Sequence, residues 1–493
     1  MIREGTFCLV LHSHLPWLPH HGSWPVGEEW LYQAWAHSYL PVVDLLRRFA
    51  AEGRRDVLTL GVTPVLAAQL DDPYALRAFH EWLGHWQLRT VQAGTLWRED
   101  PLLRELAAME YRTATRSLEE FETRWRHGFS PVLRSLVDSD VIEQLSGPYA
   151  HPFQPLLDPR IRSFALRGGL ADAALRTGHR PAGIWAPECG YAPGMEEDYA
   201  AAGVRRFLVD GPSLHGDTAF ARPVGSSDVL SFGRDLEVTY RVWSPRAGYP
   251  GHANYRDFHT WAHEVGLKPS RVTGKQVEPA DKAPYDPALA ADTLRAHVKD
   301  FVETVVSRLR GLRAEHGREA MVVAAYDTEL FGHWWHEGPA WLEGVLRALP
   351  EAGVRVTTLR GAVDAGLVGS PVEVPASSWG SGKDWRVWDG EQVADMVADN
   401  AALQRRVLAL PRSHVRDRAA DWAVGEAMMA LSSDWAFMVT KDSAADYARR
   451  RATVHTSRFD ELARRIGLGP LPPEVERWAR QDNPFGQLDA RDL

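Results

Sequence analysis

Glu188 stands in the run Ile184-Trp185-Ala186-Pro187-Glu188-Cys189-Gly190-Tyr191, where an apolar stretch stops beside an aromatic ring, a proline and a glycine. Asp327 and Glu329 hold a comparable place far downstream, in Val322-Val323-Ala324-Ala325-Tyr326-Asp327-Thr328-Glu329-Leu330-Phe331-Gly332-His333-Trp334-Trp335. Each stretch reads as a buried strand that hands over to an acid among indole rings. Cleaving a glycosidic bond calls for this pairing, with one carboxyl to protonate the leaving oxygen and a second at the anomeric carbon. Pro187 fixes the backbone just ahead of Glu188. The plainer alternative for Glu188 is an acid that caps the next helix.

His12-Ser13-His14-Leu15-Pro16-Trp17 sets two imidazoles two residues apart, on one face of a strand. They fit a zinc pair, donors to sugar hydroxyls, or a satisfied pair that closes the strand. Zinc requires at least a third ligand, and neither His-Glu-x-x-His nor a cysteine pair occurs. Gly248-Tyr249-Pro250-Gly251 is either a tight connection or a mobile lid that presents Tyr249 over the site. Of the 20 tryptophans, Trp17, Trp24, Trp30, Trp185, Trp334, Trp335, Trp379 and Trp388 lie near turn residues rather than in mid-helix. Each alone could be core filler. As a group they favour a cleft in which rings stack on pyranose faces.

The elements that must position these groups alternate. Strands are expected at 6–11, 57–62, 141–145, 183–186, 206–209, 321–326 and 355–358, with helices between most of them. Residues 224–243 read as a β-rich excursion, including 229–232 and 236–240. A nearly all-helical tract of about 66–138 is too long for one crossover and reads as an insertion. Alternation points to parallel strands, either in a barrel or in an open sheet. The barrel explains more, because His14, His151, Glu188, Asp327 and Trp379 all fall just after strand ends, the face on which barrels carry chemistry. Residues 1–365 form the expected catalytic unit. A linker follows at 366–390 and carries cleft tryptophans, its loop at 366–382 reading as a hinge, and 391–493 is helical in pattern, with amphipathic segments at 394–410, 418–431 and 444–466.

The 493 residues, 45% hydrophobic and 25% charged, describe a water-soluble globular chain. A formal charge of −9 argues against nucleic acid as a partner. With only Cys8 and Cys189, no disulfide framework is available. The opening Met1-Ile2-Arg3-Glu4-Gly5 lacks a signal-peptide layout, and no apolar run is long enough to span a bilayer. A cytoplasmic location without membrane attachment is expected.

Taken together, these segments resemble family 57 of the glycoside hydrolases, and within it the α-1,4-glucan branching enzymes. The resemblance covers most of the chain and rests on five ordered motifs. They are His12-Ser13-His14-Leu15-Pro16, residues 147–155 around His151, Trp185-Ala186-Pro187-Glu188-Cys189, the run from Tyr326 to Trp335, and Ser378-Trp379-Gly380 with Trp388 beyond. It implies an α/β fold: an incomplete (β/α)7 barrel with a helical insertion and an all-helical C-terminal domain. It implies Glu188 as nucleophile and Asp327 as general acid/base, with His12, His14 and His151 on the sugar at the cleavage point. Trp30, Trp379 and Trp388 would be stacking platforms, and Tyr249 a loop residue that favours transfer over hydrolysis. Trp185, His333 and Trp334 join the expected substrate contacts. An α-glucan is the implied partner, with no metal or organic cofactor. One departure stands out: the family usually places glycine after the histidine at 151, whereas this chain has Pro152.

The implied reaction is a retaining double displacement, for which the two carboxyls should lie roughly 5–5.5 Å apart, against roughly 6.5–9.5 Å for inversion. The rivals are a 4-α-glucanotransferase or amylase of the same family, a non-catalytic glucan-binding protein, and a metal-dependent deacetylase built on His12 and His14.

Overall fold

Apolar residues run unbroken from Phe7 to Leu11, and the strand that contains them, β1 (Gly5–Ser13), is buried along its whole length. Burial on both faces is the mark of a parallel strand covered by helices. The computed structural model describes residues 4–244 and 246–493, so Pro245 and residues 1–3, the start of the N-terminal run considered above, lie outside the described residues. The other strands are β2 (Leu58–Val62), β3 (Ile142–Ser146), β4 (Gly183–Ile184), β5 (Arg206–Asp210), β6 (Arg222–Pro223), β7 (Leu230–Arg234), β8 (Met321–Asp327) and β9 (Val354–Thr357).

They form one sheet in the order β6-β7-β5-β4-β3-β2-β1-β8, parallel throughout except for β6 against β7. β8 pairs with β1 from Thr6↔Met321 to His12↔Asp327. On the other edge of β1, β2 takes residues 10–13 and β9 takes residues 5–8. No ladder joins β7 to β8, yet Met321 N donates to Ala219 O at 3.0 Å and Asp235 N to Val323 O at 2.8 Å. The seven parallel strands β1, β2, β3, β4, β5, β7 and β8 therefore curl into an incomplete barrel.

The helical insertion runs through Pro64–Asp71, Pro73–Leu96, Pro101–Glu120 and Ser130–Asp138. Its two long helices start on the same device. Asp72 and Asp100 each accept two backbone N–H bonds as N-caps, with proline in the first turn.

One expected strand is corrected. Residues 236–240 belong to the helix Leu236–Trp243, whose N-cap Asp235 accepts from Val238 N and whose buried residues are Val238, Thr239 and Val242. The β-branched residues suggested a strand, but a capping carboxylate and burial at helical spacing outweigh propensity. The linker expected at 366–390, read as a hinge over 366–382, runs against the barrel. Bridges Ala221↔Val368, Val224↔Val372 and Tyr191↔Ser377 tie it to the barrel, and Lys383 Nζ lies 2.6 Å from Asp210 Oδ2.

Beyond residue 390 come the helices Ala394–Leu408, Arg418–Ala430, Ser433–Thr440, Ala445–Ala463 and Pro473–Gln481. The third and the fifth were not singled out from the sequence. A second hydrophobic core joins all but the third to Trp17, Tyr149, Ile161 and Phe164 of the barrel portion, while Trp435 and Met438 of the third pack into the main core. Among the described residues no helix is long and apolar enough to cross a membrane.

Candidate active site

A cavity of about 710 Å³ opens at the C-terminal ends of the strands. His12, His14, His151, Glu188, Asp327 and Glu329 all border it, and Trp30, His333, Trp334, Trp379 and Trp388 line it as well. Sequence reasoning thus assembled most of one site from positions scattered over the chain. Trp185 and Tyr249 are the exceptions.

Trp185 is 1% exposed and lies beneath the cavity wall, its ring stacked on His12 at 4.5 Å and edge-on to Trp379 at 5.0 Å. It packs behind His12 and Trp379, which line the cavity, and is not itself part of the lining. Tyr249 is buried elsewhere: its hydroxyl donates to Asp300 and its ring stacks on His297 at 4.3 Å. A lid role would require that turn to swing out and surrender both contacts.

Glu188 is placed by backbone strain. It adopts φ 62° and Cys189 φ 50°, a left-handed turn right after Pro187. For residues with a Cβ this costs about 1 kcal/mol or more, and such strain collects at functional positions. Gly190 is required next, because a Cβ there would meet the Phe153 ring at 2.6 Å. The turn offers the carboxylate to two donors: Ser433 Oγ donates to Oε1 at 2.8 Å and Trp379 Nε1 to Oε2 at 2.9 Å.

Burial pushes Glu188 up to about 7, while the Trp379 and Ser433 donors hold it down. Asp327, at the end of β8, meets no such donor among the described residues. Burial first, then the neighbouring carboxyls of Glu329 and Glu188, raise it well above the usual carboxylate range. Two acids of one cavity are therefore set apart, one served by donors to its anion and one raised without them, which is the pattern that separates a nucleophile from a proton donor. Glu329, raised by burial to about 7, accepts from Tyr39 Oη and, at 3.1 Å, from His14 N. It anchors the end of β1.

The histidines interlock. His12 Nε2 is 3.1 Å from His151 Nε2, and His151 Nδ1 is 2.9 Å from Ser433 Oγ. His14 bonds Thr63 Oγ1 at 3.0 Å through Nδ1 and Asp434 Oδ2 at 2.9 Å through Nε2. Burial pushes Asp434 up, but the imidazoles of His14 and His151 and the Ser432 hydroxyl outweigh it and bring it down to about 2. Ligand atoms of His14, His151 and Asp434 all lie within 4.8 Å of one another, which supplies the third partner that a metal reading lacked. Each also has a hydrogen-bond partner, and the group forms a network on the cavity wall.

Pro152 lies where the barrel meets the helical region. It forms an isolated antiparallel bridge with Ser432, while Ser433 N donates to His151 O at 3.0 Å. Sequence reasoning missed Ser433 and Asp434 altogether, together with Trp243, Trp261 and Arg234 in the cavity wall. The one local signal was Ser432-Ser433-Asp434, a polar run inside an apolar stretch, which also marks an ordinary helix start.

Comparison with known proteins agrees with this geometry. Residues 8–369 match glycosyl hydrolase family 57, and residues 395–493 match the 1,4-alpha-glucan branching enzyme C-terminal family. The chain is 56% identical to a probable 1,4-alpha-glucan branching enzyme of Mycobacterium tuberculosis, over 99% of this chain and 98% of that one. It superposes on the crystal structure of a branching enzyme from Thermococcus kodakaraensis with a TM-score of 0.93 at 29% identity, covering 99% of this chain and 96% of that one. An alpha-amylase from Thermotoga maritima gives 0.86 at 25% identity, covering 100% and 99%. A family match over residues 8–369, joined to a relative alike from end to end, means that the chain belongs to glycosyl hydrolase family 57.

Proposed function

We propose that the protein cleaves an α-1,4 link in a glucan and rejoins the fragment as an α-1,6 branch, with retention at the anomeric carbon. The observation that carries this is the meeting of Glu188 and Asp327, unlike in their surroundings, in one tryptophan-walled cavity. The match of the C-terminal region to that of branching enzymes supports the transfer step.

Asp327 protonates the leaving glycosidic oxygen while Glu188 attacks the anomeric carbon and holds the glucan as an ester. Asp327, now a base, takes the proton of an acceptor 6-hydroxyl, whose oxygen displaces Glu188. The imidazoles of His12, His14 and His151 bind the sugar at the cleavage point, and Trp30, Trp334, Trp379 and Trp388 carry the flanking sugars. Trp379 and Trp388 also shield the ester from water. The barrel to about residue 365 supplies the two acids, the segment 366–390 two tryptophans, and the helical region 391–493 the far wall. A reducing cytoplasm suits the buried free thiols Cys8 and Cys189.

A fold shared with an alpha-amylase does not distinguish transfer from hydrolysis. The product does. Incubation with amylose should raise the α-1,6 anomeric proton signal while reducing ends stay few, and debranching should release a defined set of chain lengths. Reducing ends without α-1,6 signals would establish an amylase instead, and α-1,4 chains of redistributed length a 4-α-glucanotransferase.

A further inference from the structure

Ser433 opens the helix Ser433–Thr440 and is 2% exposed. It comes from the helical region, 245 residues from Glu188 in sequence, yet its hydroxyl touches both Glu188 Oε1 and His151 Nδ1. The proton positions follow from counting donors. An ionised Glu188 only accepts, so Ser433 donates to it. A hydroxyl has one proton, so the same oxygen must accept from His151 Nδ1–H. Burial holds His151 neutral, which leaves its Nε2 bare and makes His12 Nε2 the donor across their 3.1 Å contact. His12 Nδ1 is then without a proton, and it is the atom found buried with no partner. One unbroken chain of donors therefore runs from His12 through His151 and Ser433 to Glu188.

We propose that Ser433 is a positioning residue of the reaction, which holds the nucleophile ionised and aimed and in the same contact fixes the tautomers of His151 and His12 on the floor of the cleft. The proposal rests on the reading of Glu188 as nucleophile. It gives the helical region a part in the chemistry beyond walling the cavity. The backbone secures the contact, since Ser433 N donates to His151 O and Ser432 bridges Pro152.

The charged and titratable groups around Glu188 include Asp327 at the end of β8, Asp434 beside Ser433, His14 after β1, His151 after β3 and the adjoining Cys189, with His12, Glu329 and Arg234 on the same cavity wall. Ser433→Ala leaves all of them in place and deletes one donor to the charged form. Glu188 then takes up a proton at higher pH, and attack is lost earlier on the acid side. The acid limb of the kcat/KM profile on amylose should move up by about one pH unit, or roughly tenfold in rate at a fixed acid pH. Ser433→Thr, which keeps the hydroxyl, should restore most of that displacement.

The experiment uses the full chain, with the pH profile of branch formation for wild type and both variants, and thermal melts to show that they fold. Histidine ¹⁵N spectra, assigned with His151→Gln and His12→Gln, should show His151 as the Nδ1–H tautomer and His12 as the Nε2–H tautomer, with His151 altered in Ser433→Ala. An unmoved acid limb, or one as displaced in the threonine variant as in the alanine variant, overturns the proposal, as does the opposite tautomer at His151. Wild-type protein that forms no branches at any pH would overturn the functional reading, and the tautomers would still decide the donor chain.

Discussion

Glu188 is caught between two demands: burial favours its protonated form, while attack on a sugar needs the anion. Its ordinary value near 4.5 and its folded value of about 7 bound the pH window in which this matters. The sign follows from proton counts. Between those values the unfolded chain binds fewer protons than the folded one, so stability falls as pH rises through the window and stays lower above it. Glu188→Gln should therefore lower branch formation by roughly 10³-fold or more. It should also stabilise the protein by about 1–3 kcal/mol at pH 8, with the gain shrinking toward pH 5. Urea melts at both pH values check this, and an inactive variant that is equally destabilised at both would count against it. Asp327 makes a different prediction. Asp327→Asn should be nearly inert on amylose yet form a covalent adduct with an α-maltosyl fluoride, whose leaving group needs no proton. Mass spectrometry of a proteolytic digest should find the sugar on Glu188.

At the scale of elements, short polar devices decide where helices begin and how strands end. Asp235 stands directly after β7, is 1% exposed, caps the helix Leu236–Trp243 through Val238 N and pairs with Arg308 at 2.8 Å. Its backbone N–H also reaches Val323 on β8, across the open side of the barrel. Asp235→Ala removes a buried cap and leaves the partly buried Arg308 with only its longer contact to Glu237, so a loss of roughly 2–4 kcal/mol is expected in urea unfolding. This junction was half legible. The capping aspartate and the apolar spacing were present in the sequence, but a run rich in valine and threonine fits a strand equally well until its packing partners are known. The apolar strands β1 and β8 were plain because burial on both faces leaves no polar alternation to misread.

At the scale of the whole molecule, the helical region and the barrel lock together through Asp482. Its carboxylate receives Trp17 Nε1 at 2.7 Å and His21 Nε2 at 2.9 Å, and pairs with Arg458. Burial pushes this acid up, but His21 and Arg458 prevail and it ends well below the usual carboxylate range. A depressed carboxylate contributes stability that is present above its unfolded value near 3.8 and is lost as pH falls below it. Asp482→Ala should cost about 3–5 kcal/mol near neutral pH, and Asp482→Asn should flatten the acid side of the stability curve. The same segment of chain carries His14 on to Trp30, so glucan affinity should weaken along with stability. Calorimetry and titration with a maltooligosaccharide report the two separately.

The sequence alone determined what is local in the chain: apolar runs that must be buried strands, acids set where those runs stop, aspartate and proline at helix starts, and indole rings crowded near turns. Hydrophobic periodicity and backbone chemistry act over a few residues, so they can be read directly. Only the tertiary structure decided which side chains touch. It brought Ser433 and Asp434 to Glu188 and His14, turned Trp185 under His12 instead of into the cleft, and drew Tyr249 away onto Asp300. Such contacts join positions tens to hundreds of residues apart. They are selected by the packing of whole elements, and no spacing within one segment encodes them.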